Sequence, residues 1–77
     1  MKDAIIKLIA EVANRGQNDF DVETRLIDEL YLSDLDRLEL LFAVEEEINR
    51  KIDDEAWLCC ETVQDVITLA GSMLATH

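Results

Sequence analysis

The sequence predicts an all-α fold, a small bundle of three longer helices and one short helix with a long first loop. Apolar residues recur with a helical period in separate segments, and no segment shows the alternation typical of a strand. The 77 residues include no Pro and only two Gly, so little interrupts these segments. We expect helices near residues 3–14, 34–50, 53–59 and 62–75, in a monomeric single domain spanning residues 1–77.

The charge of the chain restricts its partners. The net charge is −11, and 49% of the residues are hydrophobic, a fraction that is ordinary for a folded protein. Such acidity disfavours nucleic acids and anionic membrane surfaces, because both attract Lys and Arg. It favours protein partners with basic docking patches. On composition alone, a role in solubility explains the acidity equally well.

Targeting segments and metal sites are not expected. No apolar run is long enough to cross a bilayer, and Asp3 and Lys7 lie where a signal peptide would have its apolar core. We therefore expect a cytoplasmic protein. Cys59 and Cys60 are adjacent and the single His is His77, so neither a disulfide nor a zinc site is expected. The two thiols are predicted to be buried or idle in a reducing compartment.

The first helix and the loop after it are predicted from their apolar residues. Asp3 is a candidate N-cap and Gly16 a candidate helix stop. The connection 15–33 is long for a compact domain, and such loops are usually functional or contain short structure. We expect it to lie against the core, with a turn of helix at residues 26–30. Its recurring apolar residues are Phe20, Val22, Leu26, Ile27 and Leu30.

The second helix has the strongest signals in the chain. Ser33 is a candidate N-cap, and Asp36 is placed to complete a capping box. At 100° per residue, the arc opposite the acidic side chains holds several apolar residues. The acidic arc contains Asp36, Glu39, Glu46, Glu47 and Arg50, and the opposite arc contains Leu38, Leu41, Phe42 and Ile48. Leu40, Ala43 and Glu45 interrupt this division, which predicts that the helix contacts neighbours on more than one side.

The second half of the chain shows two further helix starts. Residues 53–59 have acidic residues at their beginning, and Thr62 with Asp65 is typical of a capped helix start. Val63, Val66 and later apolar residues then share one face of the last helix.

Two runs in the second helix resemble the acyl carrier protein family. Leu35-Asp36-Arg37-Leu38-Glu39-Leu40 and Ala43-Val44-Glu45-Glu46-Glu47-Ile48 are similar to the family's Asp-Ser-Leu-Asp-x-Val-Glu-Leu run and its Ala-Leu-Glu-Glu-Glu-Phe-like continuation. Weaker similarities, such as Leu26-Ile27-Asp28-Glu29-Leu30, extend the resemblance from about residue 3 to residue 75. The resemblance implies an acyl-carrier-like four-helix bundle. It also implies a 4′-phosphopantetheine arm on a serine, and no metal.

The attachment position departs from the family pattern. In this register Asp34 occupies the place of the serine that carries the arm, and a carboxylate cannot replace an alcohol in forming the phosphodiester. Ser33 is the alternative attachment residue, although moving to it rotates the site by about 100° around the helix. Ser33 is also a plain N-cap candidate. Tyr31-Leu32 stands close to where the family usually has Gly.

The resemblance also implies a docking surface and an acyl pocket. The positions similar to the family's enzyme-docking surface are Leu35, Asp36, Leu38, Glu39, Phe42, Glu45 and Glu46. Ile52, Trp57 and Cys60 fall where the family has apolar residues around the end of the acyl pocket, and an ordinary core role is the alternative. The run Glu45-Glu46-Glu47 points in three directions on a helix, so it does not form a catalytic pair.

Two functions remain open from the sequence. The first is a discrete acyl carrier protein for fatty-acid or specialised acyl metabolism, which docks on acyl-transfer or acyl-processing enzymes and on a phosphopantetheinyl transferase. The second is a degenerate carrier that acts as a protein–protein interaction module without an arm. We find no catalytic motif and do not expect an enzyme.

Overall fold

The computed structural model describes residues 2–75, and it confirms the predicted all-α fold. Four helices follow one another: α1 (Lys2–Ala13), α2 (Asp34–Ile48), α3 (Asp54–Leu58) and α4 (Val63–Ala75). Helix α1 packs on α2 and α4, and the short α3 packs on α4. Within the described residues the only β-type pairing is an isolated bridge between Arg25 and Thr62.

Three helices end one or two residues earlier than the sequence predicts, and for α3 the last residue is Leu58. Helix α1 ends before Asn14 and α2 ends before Asn49, and both Asn residues have a left-handed φ of 56°. Asn tolerates this conformation better than most residues, so it ends a helix much as Gly does. Gly16, the predicted stop, instead donates its N–H to the Asp19 carboxylate at 2.9 Å.

The N-terminal caps of α2 and α4 are the predicted ones, whereas that of α1 is not. Helix α1 already includes Lys2, so Asp3 lies in its first turn and is not an N-cap. Helix α3 has Asp53 as its N-cap. At α4, the Asp65 N–H donates to Thr62 Oγ1 at 3.2 Å, and the Thr62 N–H donates to Asp65 Oδ2 at 3.0 Å. The Glu61 N–H also donates to this carboxylate, and these backbone bonds lower the pKa of Asp65.

The core is formed by one side of each longer helix together with the loop. The buried stripe of α2 differs from the predicted one, because Leu38 and Phe42 are exposed and Leu40 is fully buried. The buried residues of α1, α2 and α4 are Ile5, Ile9, Ala10, Leu40, Leu41, Val44, Ile48, Val63, Val66 and Ala70.

The long loop is fixed at the junction between α3 and α4. Its Leu26 and Leu30 are buried, as predicted for a loop that lies against the core, and Leu32 is buried as well. Ile27, which was predicted with them, is 52% exposed. The Leu26 N–H donates to the Glu61 carbonyl at 2.9 Å, and Thr24 accepts from the Val63 N–H at 3.0 Å. These bonds hold the loop that leads directly into α2.

Candidate docking face and arm-attachment position

The N-terminus of α2 is closed by a complete capping box. Ser33 Oγ accepts from the Asp36 N–H at 3.1 Å, and the Ser33 N–H donates to Asp36 Oδ2 at 3.0 Å. Asp34 is the first residue of the helix, and its side chain is exposed. Its carboxylate makes no hydrogen bond or ion pair with the described residues, and its charge is favoured by the helix dipole.

Asp34, which the resemblance places at the arm-attachment position, lacks the chemical group that a covalently attached phosphopantetheine needs. The exposed side chain of Asp34 ends in a carboxylate, which offers no alcohol oxygen for a phosphodiester. The nearby hydroxyl belongs to Ser33, which lies outside the helix and serves as its cap. Attachment at Ser33 would esterify the same Oγ that accepts from the Asp36 N–H. It would therefore compete with the role of Ser33 as the N-cap of α2.

Large apolar side chains are exposed along one face of α2. Leu35, Leu38 and Phe42 are 64%, 44% and 55% exposed, values that contrast with the buried stripe on the other side. Glu39 and Glu46 are also exposed, and neither makes a hydrogen bond or an ion pair with the described residues. This mixture of exposed apolar groups and free carboxylates is typical of a protein-binding surface.

Glu45 has a different environment from its neighbours. It is half-buried, and its Oε2 accepts a hydrogen bond of 2.8 Å from the Ile52 N–H, beyond the end of α2. A carboxylate that accepts a backbone N–H in a partly buried site forms one of the stronger hydrogen bonds in a protein. Glu45 therefore joins α2 to the segment that enters α3, and less of it is available to a partner.

An open groove lies between the first half of α2 and α3. Its volume is about 410 Å³, and we call it the α2–α3 groove. Apolar side chains line most of it, with Asp34 and Asp54 also at its surface. The lining residues are Asp34, Arg37, Leu38, Leu41, Asp54, Trp57 and Leu58. The Nε of Arg37 is buried and makes no hydrogen bond with the described residues.

A second groove has a volume of about 270 Å³. Arg37 and Leu58 line both grooves, and Ile27 of the loop lines the second. Leu58 is 67% exposed and Ile27 is 52% exposed. The exposed apolar surface of α2 is therefore continuous with α3 and the loop.

The predicted acyl-pocket residues lie in the core. Ile52, Trp57 and Cys60 are all buried; Trp57 also lines the α2–α3 groove, and Cys60 lines the second groove. Burial, with the negative charge of Asp65 beside it, raises the pKa of the Cys60 thiol from 9.0 to about 11. The thiol is therefore protonated and unreactive at neutral pH, whereas Cys59 is free and exposed.

Two further findings limit the chemistry of residues 2–75. No group of three or more His, Cys, Asp or Glu side chains in this part of the chain is placed to hold a metal ion. None of its helices has the length and hydrophobicity that a bilayer-spanning segment needs.

Comparison with known proteins decides the family. No family model matches the chain. The chain is 34% identical to an acyl carrier protein of Clostridium perfringens, over 87% of this chain and 88% of that protein. It is 31% identical to acyl carrier proteins of Rickettsia canadensis and Rickettsia felis, over 87% of this chain and 78% of each. The chain belongs to the acyl carrier protein family.

Acyl carrier proteins are carriers and catalyse no reaction themselves, in agreement with the prediction that this chain is not an enzyme. Three large apolar residues outside α2 are exposed, namely Ile27, Tyr31 and Leu58. The sequence predicts Ile27 to lie against the core, which is wrong, and it gives no prediction of exposure for Tyr31 or Leu58. The helical period does not predict the exposure of these side chains, because two of the residues lie in the loop and one in a helix of five residues. For Tyr31 a signal existed, since it stands close to where acyl carrier proteins usually have Gly.

Proposed function

We propose that the chain is an acyl-carrier-type docking module of fatty-acid or specialised acyl metabolism, which binds acyl-processing enzymes through one face of α2. The observation that supports it most directly is the exposure of Leu35, Leu38 and Phe42 beside the unpaired carboxylates of Glu39 and Glu46. A folded chain gains nothing from exposing three large apolar residues on one helix, whereas an interface buries them.

The charge of α2 determines the kind of partner. The helix carries Asp34, Asp36, Glu39, Glu45, Glu46 and Glu47 against the single Arg37. In a chain of net charge −11, this surface attracts a partner with Lys and Arg residues and accelerates the encounter at low salt. The proposed docking residues are Leu35, Asp36, Leu38, Glu39, Phe42, Glu45 and Glu46. Of these, Glu39 and Glu46 have their charges fully available.

The experiment exchanges the two free carboxylates for cations. Glu39→Lys with Glu46→Lys should lower the association rate with the acyl-processing enzymes encoded by the source genome by about tenfold or more at low salt, measured by surface plasmon resonance. Glu11→Lys with Glu23→Lys is the matched control, because it makes the same change in net charge at exposed positions outside α2.

The control separates local from global electrostatics. If both double variants slow association equally, only the net charge matters. If neither variant nor a rise in ionic strength changes the rate, the acidic face is a solvated surface and the docking proposal is wrong. Circular dichroism should show the same helix content in all three proteins, because neither pair contributes to the core.

Asp34 favours a second version of this function, in which the module docks without an arm. The exposed carboxylate leaves the docking face intact and removes only the attachment alcohol. The unaltered chain should therefore gain no mass with coenzyme A and a phosphopantetheinyl transferase, while Asp34→Ser should gain one phosphopantetheine by intact-mass spectrometry.

Ser33 provides the control for this assay. If the unaltered chain gains one phosphopantetheine and Ser33→Ala abolishes the gain, Ser33 is the attachment site and the chain is a functional carrier. If Asp34→Ser is not loaded either, the transferase does not recognise this docking face. Replacing Asp34 removes no hydrogen bond among the described residues, so misfolding should not prevent loading.

A further inference from the structure

Three non-glycine residues in the described chain have a left-handed backbone, and one of them is of an unexpected type. Asn14, Tyr31 and Asn49 each have φ of 56°. Asn visits this region readily, because its short polar side chain tolerates the crowding. Tyr has a bulky side chain and rarely adopts it, so the backbone at Tyr31 is strained where the backbone at the two Asn residues is not.

The fold uses the conformation of Tyr31 but not its side chain. The left-handed turn follows the hydrogen bond from the Tyr31 N–H to the Ile27 carbonyl at 3.1 Å, and it lets Leu30 and Leu32 both enter the core. Asn or Gly would give the same turn with less strain. The Tyr31 side chain is 75% exposed, and its hydroxyl has no hydrogen-bond partner among the described residues.

Tyr31 belongs to a set of exposed apolar residues that surrounds the start of α2. All the large exposed hydrophobic residues of the described chain lie in the loop, in α2 or in α3, and none in α1 or α4. They are Ile27, Tyr31, Leu35, Leu38, Phe42 and Leu58. Tyr31 is the most exposed of them and is joined to Ile27 by the backbone bond, while Ile27 and Leu58 line the second groove together.

The charges around Tyr31 indicate what this aromatic ring contacts. Asp28, Glu29 and Asp34 are exposed on either side of it in the sequence, and Arg25 is already paired with Asp28 and Glu61. Glu29 accepts from the Arg25 N–H, and Asp34 makes no hydrogen bond or ion pair with the described residues. An exposed ring in this acidic surrounding complements a protein surface that has an apolar cleft bordered by Lys or Arg. Tyr is also among the residue types that dominate the energetics of such interfaces.

We propose that Tyr31 is a specificity-determining anchor residue for a protein partner, and that it inserts its ring into an apolar cleft bordered by basic residues. The inference rests on the proposed docking function. It adds a partner contact made by the loop to the partner contacts made by the face of α2. It accounts for a bulky residue at a left-handed position where the chain gains no packing from it. The interface would then begin at the loop and continue along Leu35 and Leu38.

The test compares stability with binding in the same variants. Tyr31→Asn copies the residue type found at the two other left-handed positions, so Tm should stay the same or rise by roughly 4 °C. The affinity for the phosphopantetheinyl transferase and acyl-processing enzymes encoded by the source genome should fall about tenfold or more for at least one of them. Tyr31→Phe keeps the ring and should change that affinity by less than about threefold.

Each outcome has a defined meaning. If Tyr31→Asn lowers Tm, the ring stabilises the fold and the proposal is wrong. If Tyr31→Asn binds like the unaltered chain to every enzyme that Glu39→Lys with Glu46→Lys weakens, docking stands but Tyr31 is no part of it. If the unaltered chain binds none of these enzymes, the docking function and this inference both fail. Asn49→Gly, a second change at a left-handed position, should leave affinity unchanged.

Discussion

The two faces of α2 differ in what they contact. On one face Leu35, Leu38 and Phe42 are exposed, whereas on the other Leu40, Leu41, Val44 and Ile48 are buried. One continuous helix of 15 residues thus presents apolar side chains both outward and inward. The buried face contributes to the core, and the exposed face is the one that we propose as the docking surface.

The acidic residues of α2 show the same division. Asp36 completes the capping box and Glu45 accepts from the Ile52 N–H, so both carboxylates are bonded within the chain. Glu39 and Glu46 make no such bonds with the described residues. Two of these carboxylates therefore stabilise the fold and two are available to other molecules. Substituting a bonded carboxylate should lower stability, whereas substituting a free one should not.

The largest expected difference between the two faces is in apolar packing. Ile48→Ala should lower the free energy of unfolding by about 2–5 kcal/mol, because it removes buried methyl groups and leaves a cavity. Phe42→Ala should lower it by less than about 1 kcal/mol, although more atoms are removed, because its side chain is 55% exposed. Urea denaturation followed by circular dichroism measures both. Equal losses would mean that the exposed face of α2 also stabilises the fold.

A smaller difference is expected between the two adjacent carboxylates. Glu45→Ala should lower the free energy of unfolding by about 1–3 kcal/mol, because the partly buried Ile52 N–H loses its acceptor. Glu46→Ala should stay within about 0.5 kcal/mol of the unaltered chain. The same denaturation experiment compares them. A Glu45→Ala variant as stable as Glu46→Ala would show that the bond to Ile52 contributes nothing.

The fold could be predicted from the sequence to within a few residues. Capping residues set the starts of α2 and α4, and Ser33 and Thr62 were identified because a capping box has a fixed spacing. The end of α2 was placed at residue 50, two residues late, because the left-handed conformation of Asn49 does not follow from residue type alone.

The orientation of α2 could be predicted only in part. Its apolar residues extend around much of the helix, so the period alone placed Leu38 and Phe42 with Leu41 and Ile48 and left Leu40 out. Which side of α2 is buried depends on its packing against α1 and α4, and Leu40 and Val44 are fully buried in the folded chain. The groove and the exposure of Leu58 depend on where α3 lies, which no local pattern determines.

Trp57 gives the molecule an internal optical reporter. It is the only tryptophan of the chain, it is buried to all but 4% of its surface, and it lines the α2–α3 groove. Its fluorescence therefore comes from one known place, shielded from water and next to Leu38 and Leu58 in the wall of that groove. An enzyme surface that covers the groove, or a separation of α3 from α2, would change the polarity around this indole and shift its emission without any added label.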